Sequence, residues 1–166
     1  MADVVLDATV SGASANTYVT LAQADAYFDE RLDSTDWTGA TDNNKGKALV
    51  QAARRLDQIR WVSIKADADQ KLQWPRSAAV DEDGNTVDSD EIPQCIKDAQ
   101  CEMALFMLDS DLLSDSGLEA FEQVEIGPIK VTPRQGRRAG ELPENVYREI
   151  RWYMRSRRGQ VRMERA

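Results

Sequence analysis

Histidine is absent from the 166 residues. That excludes imidazole general bases, Ser–His and Cys–His nucleophile pairs, and His metal ligands. Cysteine is nearly absent: Cys95 and Cys101 stand six apart. On one helix that spacing turns them to different faces, so no disulfide is expected between them and both read as buried thiols of a reducing compartment. No apolar run approaches the roughly 20 residues that a membrane helix needs, so no membrane partner is expected. The opening "MADVVLDATVSGASAN" lacks a basic n-region and does not read as a secretory signal. What remains, 42% hydrophobic and 30% charged, suits one globular domain with extensions.

Charge is unevenly spread. The chain carries 21 basic and 29 acidic residues, a net of -8. Residues 134–166 hold ten Arg and four Glu, a net of +6; the other residues hold 11 basic and 25 acidic, a net of -14. Segments of opposite sign face different partners.

The chain divides into an N-terminal arm (1–16), a body (17–132) and a basic linker, helix and tail (133–166). The arm, small and polar around "VVLDATV", suits an extended arm or one edge strand. Thr20 with Gln23 three residues later is a capping box. Leu21, Ala24, Phe28 and Leu32 follow at helical spacing, predicting a helix over 21–32. "STDWTGATDNN" reads as loop, and Asp42 as the cap of a second helix, 42 to about 60, with Leu49, Ala52, Ala53, Leu56 and Ile59 on its apolar face. Residues 62–91 look irregular, with a turn at Asp83–Gly84. Pro93 opens a helix to about residue 113, carrying Ile96, Ala99, Met103, Phe106 and Met107 on one stripe. Val124 and Ile126, then Ile129 and Val131, alternate with polar residues around Gly127–Pro128, the pattern of a small hairpin over 124–132. Pro143 opens a last helix, 144 to about 156, with Val146, Tyr147, Ile150, Tyr153 and Met154 on one face. The expected fold is mostly α: a small helical bundle with an inserted β-hairpin and an extended C-terminal helix and tail.

Few motifs carry chemistry. "DEDGNTVDSDE" fails as a calcium loop: a sixth-position Gly84 makes Ala79 the first ligand, and alanine cannot coordinate through its side chain. "NNKGKAL" fails as a phosphate loop, since Thr41 stands where its first glycine should be and Ala48 where Ser or Thr should follow the lysine. No carboxylate pair stands out from a solvated acidic surface. Trp61 and Trp74 could stack on bases, but the cations around them are sparse, and core tryptophans are the better reading. No metal and no cofactor is expected.

The tail is different. Arg148, Arg151, Arg155, Arg157, Arg158, Arg162 and Arg165 could neutralise phosphates. The better reading pairs them as forks with carboxylates in an acid-lined protein groove while Trp152 or Tyr153 fills a pocket. A solvated end is the third reading.

Several stretches occur together in one order: "ANTYVTLAQADAYF" (15–28), "KALVQAARRLD" (47–57), "QKLQWPR" (70–76), "DGNTV" (83–87), "IPQCIKDAQCEMA" (92–104) and "VEIGPIKV" (124–131). In this the chain resembles the DnaT-like single-stranded-DNA-binding protein family of tailed bacteriophages, whose members are similar to head–tail connector adaptors. The resemblance runs from about residue 15 to about 132. It implies a structural, non-enzymatic protein of the virion neck, assembled in the host cytoplasm. It implies a ring of identical subunits, dodecameric below a portal, that joins the next tail or neck protein and lets double-stranded DNA pass.

Heterologous contacts close such a ring when the rotation permits. On this reading Trp74, Pro75 and Arg76, with Val124, Ile126, Ile129 and Val131, contact neighbours or the tail. Tyr147, Arg148, Arg151, Trp152, Tyr153, Arg155, Arg157, Arg158, Arg162 and Arg165 bind the portal. An acidic channel lining would repel phosphates and let DNA slide. The alternative is a single-stranded-DNA-binding replication accessory protein, whose affinity would rest on the tail alone.

Overall fold

The computed structural model of the chain describes residues 3–109, 124–126, 129–131 and 142–155. The first helix, α1 (Leu21–Asp29), starts as its capping box dictates: Thr20 Oγ1 accepts from Gln23 N at 3.2 Å, and Gln23 Oε1 accepts from Thr20 N at 2.8 Å. Ala24 and Phe28 are its buried stripe. The helix ends sooner than the apolar spacing predicts. Arg31 N closes the last turn onto Phe28 O at 3.2 Å, the Arg31 side chain turns in toward Glu102, and Leu32 is left fully exposed.

The segment read as loop contains a one-turn helix, α2 (Thr35–Thr38), too short to show a period. It buries Trp37 against Phe28, ring centroids 4.5 Å apart. The indole donates to Asp25 Oδ1 at 2.8 Å, and Lys45 both pairs with that oxygen at 2.9 Å and lies over the Trp37 ring.

The core is built on α3 (Asp42–Asp57) and α4 (Gln94–Asp109), packed along one another. Thr41, not Asp42, caps α3, its Oγ1 accepting from Asn44 N at 3.4 Å. Asp42 lies inside the first turn, where its charge favours the helix dipole. Ala52, Ala53, Ala99 and Ala104 are fully buried small residues that let the two backbones approach, with Leu49, Leu56, Ile96 and Met103 filling the space between. Helix α3 stops at Asp57, short of the predicted 60, and α4 begins at Gln94, directly after Pro93. The end of α4 expected at 113 lies outside the described residues.

Gln100 is the polar member of this interface. Its Oε1 accepts from Tyr18 N at 2.9 Å, and its Nε2 donates to Thr17 Oγ1 at 2.7 Å and Leu49 O at 2.8 Å. One buried amide thus fixes the lead-in to α1 against both core helices.

The N-terminal arm lies extended over α3, with Val4 and Leu6 against Gly46 and the turn back pinned by Asn16. Residues 62–91 are less irregular than their sequence suggests. β1 (Ile64–Lys65) pairs antiparallel with β2 (Arg76–Ser77), and Val80 bridges Thr86 across a turn whose Gly84 takes a positive φ of 89°. Of the hairpin, β3 (Val124–Ile126) pairs antiparallel with β4 (Ile129–Val131), Val124 opposite Val131 and Ile126 opposite Ile129, as the alternation predicts. The fold is a small helical bundle with this hairpin inserted before the last helix. Among the described residues no helix is long and apolar enough to cross a membrane.

Candidate docking surface at the C-terminal exit

The last helix, α5 (Glu144–Ile150), continues as one 3-10 turn (Arg151–Tyr153). Helical geometry therefore ends at Tyr153, not near 156. The reason lies in the backbone partners beyond it. Val62 N donates to Tyr153 O at 2.9 Å and Arg155 N to Arg60 O at 2.7 Å, so that Met154 faces Trp61 as an antiparallel bridge. An extended chain satisfies those groups and a helix does not.

Val146 and Ile150 bury one side of α5 against α4, and Tyr153, in the turn that follows, is buried beside Trp74. Burial of a Val or Ile side chain stabilises by about 1.5–3 kcal/mol each. Tyr147, expected on that face, is 44% exposed. It stands with Glu144, Arg148 and Arg151 at the spacing of one helix face, and that face is the outer one. Glu144 and Arg148 pair there at 3.2 Å, both largely solvated, a contact worth at most a few tenths of a kcal/mol. Trp152 is 51% exposed, its indole donating to Asp81 O at 2.8 Å. Arg155 is exposed where the chain leaves the body. Arg157, Arg158, Arg162 and Arg165 lie outside the described residues.

The N-terminal end of α5 is fixed through Glu102. Asn145 Nδ2 donates to Glu102 Oε2, Tyr27 Oη donates to Glu102 Oε1 at 2.8 Å, and Arg31 Nη1 lies 3.2 Å from the same oxygen, an ion pair whose hydrogen is not aligned on its acceptor. Glu149 is exposed, and partial burial with the charges of Asp98 and Glu102 raises its carboxyl above the ordinary value.

The residues assigned from sequence to a neighbour contact divide here. Trp74 and Pro75 are fully buried and Arg76 is 6% exposed. Trp74 stacks edge-on with Trp61 at 5.6 Å and with Tyr153 at 5.2 Å, making an aromatic box beneath the C-terminal exit. Arg76 Nε donates to Val62 O at 2.8 Å, Nη2 to Ser63 O at 2.7 Å and Nη1 to Gln73 O at 3.0 Å. Asp57 accepts from Gln73 N at 3.1 Å and from the Tyr18 hydroxyl. The Trp-Pro-Arg element, assigned from sequence to a contact with neighbours or the tail, is thus buried within the chain, where it builds the floor beneath the C-terminal exit. Tyr153, expected to touch a partner, is likewise part of that floor. Of Val124, Ile126, Ile129 and Val131 the structure describes the paired backbone alone.

The sequence reading missed Gln100 and Glu102, although both stand within the buried stretch of α4, where a polar residue signals a satisfied internal partner. It also missed Arg60 and the Asp81 carbonyl, which hold the exit through backbone groups that leave no side-chain signature.

A narrow space lined by Thr9, Gly12, Thr17, Gln70 and Trp74 is too tight to admit a water molecule. Among the described residues no group of three or more His, Cys, Asp or Glu side chains could hold a metal ion. Exposed here are two aromatics, Tyr147 and Trp152, with Arg148, Arg151 and Arg155 and the acids Glu144 and Glu149.

No curated protein and no solved structure matches the chain significantly. The family described as "Putative DnaT-like ssDNA binding protein" matches residues 1–166, the full length of the chain, and the protein belongs to that family.

Proposed function

We propose that the protein is a structural adaptor of a bacteriophage neck, a ring subunit below the portal that joins head to tail and lets DNA pass. The observation that carries this reading is the C-terminal exit. A helical body whose sequence share is strongly acidic holds residues 153–155 on its residues 60–62 by backbone hydrogen bonds, next to an exposed tryptophan, and the sequence then continues as an arginine-rich segment. Such a segment, basic on an acidic protein, suits an arm that orders on a partner. Its arginines fork onto carboxylates of the portal, with the body's acids left to face the DNA path and repel phosphate. No catalysis is required of it.

Deleting residues 156–166 tests the assignment. The truncated chain is expected to fold and to lose co-assembly with the portal protein of its own particle. Unchanged co-assembly would overturn the arm's role.

The family's description favours a second reading, single-stranded DNA binding, and Trp152 between Arg151 and Arg155 has the makings of a base-stacking platform. Trp37, Trp61 and Trp74 are buried, so Trp152 alone would report a stacked base by fluorescence. Titration with a single-stranded oligonucleotide at low salt distinguishes the two. Quenching that vanishes in Trp152→Phe and falls steeply with salt supports DNA binding; no change in the intact chain removes it.

A further inference from the structure

The C-terminal exit covers a floor that it satisfies poorly. Among the described residues four buried side-chain atoms have no hydrogen-bond partner, and three of them, Trp61 Nε1, Ser63 Oγ and Trp74 Nε1, belong to this floor. Trp61 lies opposite Met154, and the Trp74 ring packs against Tyr153 at 5.2 Å. A buried polar group without a partner is destabilising, and contact with water relieves it. Hydration of these groups therefore opposes the closed state.

Charge acts in the same direction. Asn145 bonds Glu102, and one turn further along α5 stands Glu149, whose carboxyl is raised by partial burial and by the charges of Asp98 and Glu102. Asp98 and Glu102 are themselves one turn apart on α4. Like charges thus oppose one another at the junction of the two helices.

The fastenings are few. Val146 and Ile150 are buried, Asn145 bonds Glu102, and the end is closed by Val62 N on Tyr153 O and Arg155 N on Arg60 O. Helix α5 has seven residues. An isolated helix in water needs about 12–15, so α5 does not stay helical off the body. The floor does not depend on the exit in this way. Arg76 ties the carbonyls of Val62, Ser63 and Gln73 from within, and Ala66 N donates to Pro75 O at 3.2 Å.

We infer that residues 142–155 are a strap that leaves the body as one unit while the α3–α4 core and the floor stay folded. Such an opening is local unfolding, and it lies below the free energy of global unfolding. It joins Val146, Ile150 and Tyr153 to the arginine-rich segment as one arm, apolar and basic, free to order on a partner. The opening itself does not rest on the adaptor reading. Within that reading it lengthens the arm that grips the portal, and because the strap lies outside residues 156–166, truncation and opening can fail separately.

Native-state hydrogen exchange of the full chain, followed residue by residue by NMR, tests the strap. Val62 is the deciding amide, since it belongs to the body but donates to the strap. Val62, Arg155 and the amides from Tyr147 to Ile150 are expected to share one protection factor, about a hundredfold or more below that of Leu49 and Leu56 in α3. Ala66, bonded within the floor, is expected to exchange later than Val62. Exchange of α5 at the α3 rate would overturn the strap, because α5 would then open only with the core. Graded fraying along α5 with Val62 left at the α3 rate would overturn it as a unit. Glu149→Gln removes the exposed like charge and is expected to raise the shared protection about two- to fivefold. Unchanged protection in that variant would overturn the part given to charge.

Discussion

The side-chain amide of Asn145 donates to the carboxylate of Glu102, and that hydrogen bond ties the last helix to the middle of the core. The same carboxylate takes the Tyr27 hydroxyl and the Arg31 guanidinium from the α1 side. One buried carboxylate therefore joins two parts of the chain: it draws the Arg31 side chain inward at the end of α1, and it holds the start of α5.

Glu102→Gln keeps the shape and removes the charge. The new amide cannot accept at both ends, so either Asn145 or Tyr27 faces a donor in place of an acceptor. Loss of a charged, buried acceptor costs about 1–3 kcal/mol. The expected result is a lowered urea midpoint, with amide exchange across 144–153 accelerated more than across α3. Uniform acceleration would mean that Glu102 stabilises the core without positioning α5.

Arg76 should resist even its conservative replacement. Three nitrogens of its planar fork reach three different carbonyls, of Val62, Ser63 and Gln73. A lysine carries one nitrogen on a flexible stem and cannot reproduce that spread. Arg76→Lys leaves buried carbonyls unpaired and is expected to destabilise by about 2–4 kcal/mol. Because the fork supports the strand that receives Tyr153 and Arg155, limited proteolysis after Arg155 should also move inward, toward α5. A stability loss under about 0.5 kcal/mol, the level of an ordinary surface change, would contradict the buried role.

Local signals in the sequence located most elements. The Thr20–Gln23 capping box, the stripe of Ile96, Ala99 and Met103, and the alternation of Val124, Ile126, Ile129 and Val131 each depend on neighbours within a few residues, and each element stands where they place it. What misled was long-range. Leu32 continues the helical spacing of α1, yet Arg31's attraction to Glu102, distant in sequence, ends the helix first. Tyr147 reads as apolar on a face whose burial is decided by α4 and falls just outside it. Trp74 reads from the residues as a core tryptophan and is one; the contact with neighbours given to it and to Arg76 comes with the family resemblance. Only the tertiary fold shows that the arginine is consumed by the carbonyls of residues 62, 63 and 73. The C-terminal exit was half legible: the arginine count marked the segment, but the backbone bridge between Trp61 and Met154, which fixes where the helix stops, left no side-chain signal.

Alkali should unfold the protein through its tyrosines. Burial, then the charge and hydrogen bond of Asp57, push the Tyr18 hydroxyl well above its ordinary 10.0. Burial likewise raises Tyr27, helped by Glu102, and Tyr153. An acid whose folded pKa lies above its unfolded one lends stability that is complete below the unfolded value and lost as pH rises through the folded value. The decline therefore begins near pH 10 and steepens above it, since the unfolded chain releases protons that the folded chain retains. Tyr18→Phe should flatten that decline while lowering stability at pH 7 by about 1–2 kcal/mol, because Asp57 then keeps Gln73 N as its partner alone. Equal alkaline slopes in the two proteins, measured by urea unfolding at several pH values, would show that Tyr18 ionises freely in the folded state.

Burial also governs the two thiols, to different degrees. It pushes Cys95 up to about 11, with Glu149 contributing, and Cys101 up to about 12, with Asp98 and Glu102 contributing. The thiolate is the nucleophile, so at pH 8 both react slowly with a disulfide reagent, and access separates them further. Cys95 is half-buried and Cys101 is 2% exposed, on the side of α4 enclosed by the core. Two phases are expected in the native protein: a slow one for Cys95, set by local opening between α4 and α5, and a far slower one for Cys101, set by global unfolding. In denaturant both should react at one rate, near that of a free thiol. Glu102→Gln, by loosening α5, should speed the Cys95 phase without a matching change at Cys101. If the two phases accelerate by the same factor, α5 opens only when the whole core does, and Asn145–Glu102 is not a separate latch.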